Sequence, residues 1–128
     1  MPLYRCMVAP GLTSYDQRLA IAQDITRIHC DVTGAPPTFV HTFFAEDDAG
    51  ELPGGTRAMV FGSIRSGRTD EQKQRLVREM TEAVAAAAGI AADEVVLATV
   101  DVPARWVMEG GDLLPEPGEE AAWLVRHG

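Results

Sequence analysis

The chain has 128 residues, 46% of them hydrophobic and 23% charged, which predicts one globular domain large enough to bury its own core. A net charge of −8 repels phosphate backbones and argues against a nucleic-acid partner. No apolar run reaches the ~18 residues of a membrane span, and no basic-then-apolar leader opens the chain, so a cytoplasmic protein without membrane contact is expected.

The first stretch reads "MPLYRCMVAP". A small second residue permits removal of the initiator methionine, which would leave Pro2 as a free secondary amine at the head of a strand over 3–9. After a "PGLT" loop, residues 14–33 read as a helix with Ile21, Ile25, Ile28 and Val32 on one stripe. His29 falls at the edge of that stripe. Ser14 with Gln17 forms a capping box, and Gly34 ends the helix. A strand follows over 38–44, then a turn-rich surface loop over 45–57.

The pattern then repeats. Residues 58–64 are a strand, "RSGRT" is a loop, and Thr69 with Gln72 forms a second capping box. The helix over 70–88 carries Leu76, Met80, Ala83 and Ala87 on one stripe, with Val77 and Val84 alongside, and Gly89 closes it. A last strand covers 93–100, and the punctuated tail 102–128 wraps the surface in short turns. The chain is therefore one domain, 1–128, made of two β-α-β units at about 2–45 and 58–101, offset by about 56 residues. Strand, crossover helix and strand give parallel pairs. A pseudo-twofold axis between the units sets their first strands antiparallel. The expectation is an α/β fold with a four-stranded mixed sheet and both helices on one face. A bare opposite face needs a cover, which further copies of the chain can supply.

Several residues could carry chemistry. Arg65 and Arg68 lie in a tight loop entering a helix, where two guanidinium groups could clamp a carboxylate or could simply face solvent. The antiparallel arrangement brings that loop toward Pro2. Glu109, in "WVMEGG", has apolar neighbours that would raise its pKa and suit acid–base work, unless it is an exposed turn residue. An amine at Pro2 could act as base or acid, depending on burial and neighbouring charge. His29 is either a hydrogen-bonded core residue or a substrate contact. Cys6 and Cys30 read as buried thiols, and the scattered His29, His41 and His127 show no metal-ligand spacing, so no metal or other cofactor is expected. Cys30 beside His29 is a poor nucleophile–base pair, because helix neighbours do not face each other.

These segments together resemble the tautomerase superfamily, within it the cis-3-chloroacrylic acid dehalogenase group. "DITRIHCDVTG" carries the histidine, "GSIRSGRT" the two arginines, and "VPARWVMEGGDLLPEPGEEAAWL" a glutamate before an "LPxPG" run. The resemblance covers the chain from Pro2 to about Trp123. It implies the tautomerase fold, a homotrimer, and a small carboxylate substrate held by Arg65 and Arg68. Catalysis would fall to Pro2 as the amine, Glu109 on water or a proton, and His29 polarising the substrate. It implies keto–enol tautomerisation, with a weaker hydratase or cis-3-haloacrylate dehalogenase activity. Ala98 stands where the dehalogenases carry a tyrosine, and the central loop and tail are shorter, which weakens the case for dehalogenation. A non-catalytic trimeric binding module on the same scaffold is the alternative. Phe39 and Trp106 are candidates for the pocket walls.

Overall fold

The computed structural model describes residues 1–127. Its order is β1 (Leu3–Val8), α1 (Tyr15–Thr33), a 3-10 turn (Pro37–Phe39), β2 (His41–Glu46), β3 (Ala58–Arg65), α2 (Asp70–Ala88), a second 3-10 turn (Ala92–Glu94) and β4 (Val95–Val102). A third 3-10 turn (Ala104–Trp106), the small hairpin β5 (Met108–Glu109) and β6 (Asp112–Leu113), and α3 (Glu120–His127) complete it. The sheet order is β2-β1-β3-β4. β1 runs parallel to β2, β3 runs parallel to β4, and β1 meets β3 antiparallel with Leu3 opposite Ser63. This is the expected mixed sheet, and its central pair brings the end of β3 to the beginning of β1.

Both helices begin and end where their caps dictate. Ser14 and Thr69 each accept from the backbone N–H three residues on, while Gln17 and Gln72 accept from the cap's own N–H. Gly34 and Gly89 take the left-handed conformation that stops each helix, at φ 78° and 70°. Caps recur at an offset of 55 residues, from 14 to 69 and from 34 to 89. α1 buries Ile21, Ile25, Ile28 and Val32, as expected, and His29 with them. The buried line on α2 runs Leu76, Met80, Val84 and Ala88, rotated slightly from the expected stripe, so Ala83 and Ala87 flank the core.

These stripes pack against Tyr4, Cys6 and Val8 of β1 and Ala58, Val60 and Ile64 of β3. Alternation leaves Leu3, Phe43, Phe61, Val96 and Val100 exposed on the other side of the sheet. One face is thus covered by two helices, and the other is open and apolar.

Two strands start later than expected. Thr38 and Phe39 are strand formers, but Pro36 and Pro37 set a 3-10 turn in which Phe39 N–H bonds Pro36 O. The strand begins only at His41, whose N–H reaches Pro2 O. Asp93 and Glu94 likewise form a turn, with Glu94 capping Ala91 N–H, and β4 then runs on to Val102 beside Arg65. Cys6 is buried as expected, whereas Cys30 is only partly so, because it lies off the α1 stripe; both are free thiols. Among the described residues, no helix is long and apolar enough to cross a membrane, and no three His, Cys, Asp or Glu side chains group as a metal-ion site.

Candidate active site

The end of β3, the start of β1 and the tail meet at one edge of the molecule. Continuing the β1–β3 register places Met1 opposite Arg65. The Met1 ammonium donates to Phe39 O at 2.8 Å and to Glu109 Oε2. Burial lowers the pKa of this amine from its ordinary value, Glu109 opposes that by hydrogen bond and charge, and Arg65 adds to the lowering. Pro2, next in the chain, is fully buried.

Glu109 is held by the two-residue strand β5, opposite Asp112, and the turn between them passes through Gly110 and Gly111 at φ 60° and 84°. Its Oε1 lies 3.4 Å from His41 Nε2. The apolar wall expected around Glu109 is not there: Trp106 and Met108 are 71% and 62% exposed, and only Val107 turns inward. Met108 alternates outward along this short strand, Trp106 lies before it in the third 3-10 turn, and the carboxylate meets the N-terminal ammonium and His41 instead. Phe39 is buried, packed edge-on against Trp123 and lying 5.4 Å beneath the Arg65 guanidinium.

The side chains of Arg65 and Arg68 are both buried, so neither is a solvated surface arginine. Arg65 Nη1 donates to Pro115 O, and its Nη2 donates to Glu120 Oε1 at 3.1 Å. Arg68 Nη1 donates to Thr33 O at 3.2 Å, and its Nη2 donates to the same Glu120 oxygen at 2.9 Å. Burial lowers the pKa of Arg65 and Arg68 lowers it further, against the opposing pull of Glu120.

His29 lies inside the helix–sheet layer, not at the stripe's edge, and is 2% exposed. Its Nδ1 is 2.7 Å from Tyr4 Oη. That ring nitrogen is the one partner of the buried Tyr4 hydroxyl among the described residues, so the hydroxyl must donate, or its proton would be buried without an acceptor. The imidazole therefore accepts at Nδ1 and carries its proton on Nε2. Burial, then the positive charges of Arg68, Arg65 and the N-terminus, push the His29 pKa down to about 3. It is a neutral donor at neutral pH. Tyr4 can reach it because β1 pairs with Gly62: a Cβ there would stand 2.5 Å from Tyr4 Cε1.

Of the residues expected at a site, Arg65, Glu109 and the chain's N-terminus come together, and Arg68 and His29 join them through Glu120 and shared charge. Ala98 is exposed on the open sheet face, opposite Phe61 and four residues along β4 from Val102. Glu120, Tyr4 and His41 join these residues with no motif in the sequence to mark them. Glu120 is one acid in an acidic tail, and the sole signal for it is a need: two arginines close in sequence require a counter-charge if they are buried.

A family model described as tautomerase enzyme matches residues 63–115. A probable tautomerase of Bradyrhizobium diazoefficiens is 41% identical over 54 residues, covering 42% of this chain and 81% of that protein. The crystal structure of N1, a member of the cis-3-chloroacrylic acid dehalogenase family, is similar at 34% identity with a TM-score of 0.89, over 97% of this chain and 91% of that chain. A fused 4-OT solved as a symmetric trimer is 23% identical with a TM-score of 0.78, over 88% of this chain and 94% of that chain, a likeness of fold alone.

Proposed function

Because the chain belongs to the tautomerase superfamily of enzymes, in the group of cis-3-chloroacrylic acid dehalogenase, we propose that it moves a proton on small enolisable or unsaturated carboxylates with an amine at Pro2. The observation that carries this reading is the meeting of the N-terminal amine with Glu109 beside Arg65. Removal of Met1 puts a secondary amine one residue further in, at the head of β1. Burial lowers an amine's pKa and an adjacent carboxylate raises it, so the two together hold it near the range where it can both give and take a proton.

In the enol-to-keto direction the C2–O bond becomes a carbonyl as its proton leaves. The C2=C3 electron pair takes a proton from the Pro2 nitrogen, which recovers one from the enol oxygen directly or through Glu109. Arg65 and Arg68 hold the substrate carboxylate, and the Nε2–H of neutral His29 polarises the 2-oxygen. For a cis-3-haloacrylate, Glu109 takes the proton of a water that attacks C3 while Pro2 supplies one to C2, and the resulting 3-halo-3-hydroxy acid expels halide as its hydroxyl loses a proton and becomes an aldehyde. That second activity is the weaker, since Ala98 offers no hydroxyl at the family's tyrosine position.

The working form is a homotrimer, supported by the open apolar sheet face and by a relative of the same fold solved as a trimer. Ultraviolet assays on the enol of phenylpyruvate and on cis-3-chloroacrylate test the reading. Tautomerisation is expected to exceed dehalogenation, and Arg68→Ala to raise KM by about tenfold or more. Inactivity of the methionine-free chain on both acids would sink it.

A further inference from the structure

The two guanidinium groups proposed to clamp the substrate already share a carboxylate of their own chain. Glu120 Oε1 accepts from Arg65 and from Arg68, and Oε2 accepts from Gly118 N–H at 2.7 Å. The side chains of the three are 1%, 5% and 8% exposed. The remaining bonds, Arg65 to Pro115 O and Arg68 to Thr33 O, tie the same groups to the tail and to the end of α1. An incoming anion that displaced Glu120 would strand a buried carboxylate away from both its cations, a heavily penalised arrangement. The substrate must share the arginines with Glu120, not replace it.

Two cations and one anion leave one net positive charge. We propose that Glu120 is a positioning residue that fixes both guanidinium groups and halves their charge, so that the site selects substrates with one carboxylate over those with two. The second carboxylate of a diacid would enter a site whose surplus charge is already spent, and Glu120 would repel it. This rests on the reading of Arg65 and Arg68 as the substrate's holders.

Two enolisable 2-oxo acids that differ in a second carboxylate, the enols of phenylpyruvate and oxaloacetate, test it. The wild type is expected to favour phenylpyruvate in KM. Glu120→Gln should shift the ratio of the two KM values toward oxaloacetate by about tenfold, while kcat changes little. Glu120→Asp, which keeps the charge, should keep the preference. A purely structural role would raise both KM values together in Glu120→Gln, and that result overturns the proposal. Arg68→Ala with unchanged KM for both acids would instead remove the clamp itself. Should Glu120→Gln not fold, competitive inhibition of the wild type decides: benzoate is expected to bind more tightly than phthalate, and the reverse order overturns the proposal.

Discussion

A histidine buried beside two arginines has to stay neutral, and this makes His29 a sensor of acid. Its folded pKa of about 3 lies below the ordinary 6.5. The unfolded chain therefore binds a proton that the folded chain refuses. Stability from this residue is fully present above pH 6.5 and is lost as pH falls from there toward 3. Linkage gives a loss of about 2 kcal/mol by pH 5. Urea unfolding at pH 7.5 and pH 5 checks it: the wild type should lose that amount, and His29→Gln should lose much less. At this scale the sequence is readable where residue type restricts chemistry. Pro2, Arg65, Arg68 and Glu109 are unusual choices for their places. Tyr4, His41 and Glu120 are common residue types in common places, and their roles come from partners 25, 68 and 55 positions away.

The elements are legible because local rules and tertiary packing agree on them. Capping boxes at Ser14 and Thr69 and left-handed glycines at 34 and 89 set both helices without help from the rest of the fold. Disagreement arises where strand formers follow prolines, at Thr38 and Phe39, and where a hairpin of two-residue strands carries Glu109, too short for any period. The most demanding contact between elements is Gly62 beneath the Tyr4 ring. Gly62→Ala should force that ring off its seat and cost about 1–3 kcal/mol by overpacking. Thermal unfolding would register the loss, and kcat/KM should fall with it, because the Tyr4 bond to His29 is broken. An unchanged melting temperature would show that the ring yields freely.

At the scale of the molecule, the sheet is a half-built core. Phe61 and Val100 are 45% and 42% exposed on a face that no helix among the described residues covers. Phe61→Asp is expected to convert a three-chain species to single chains in sedimentation, and activity should fall with assembly; a wild type that sediments as a single chain would contradict the trimer. The duplication and the antiparallel meeting of β1 with β3 could be read in advance, and they explain why the terminal amine and the Arg65–Arg68 loop meet at one edge of the molecule. Of the tail's share, Glu109 could be read, but Pro115 and Glu120 could not, since they meet Arg65 from 50 and 55 positions away. Everything turns on the amine. The decisive measurement is the rate of phenylpyruvate enol ketonisation by two preparations, one trimmed to Pro2 and one retaining Met1, each verified by intact mass. The trimmed chain is expected to be active, and retained methionine to lower kcat/KM by at least about a hundredfold, the scale of a lost acid–base group. Equal rates would mean that the proline nitrogen does no chemistry.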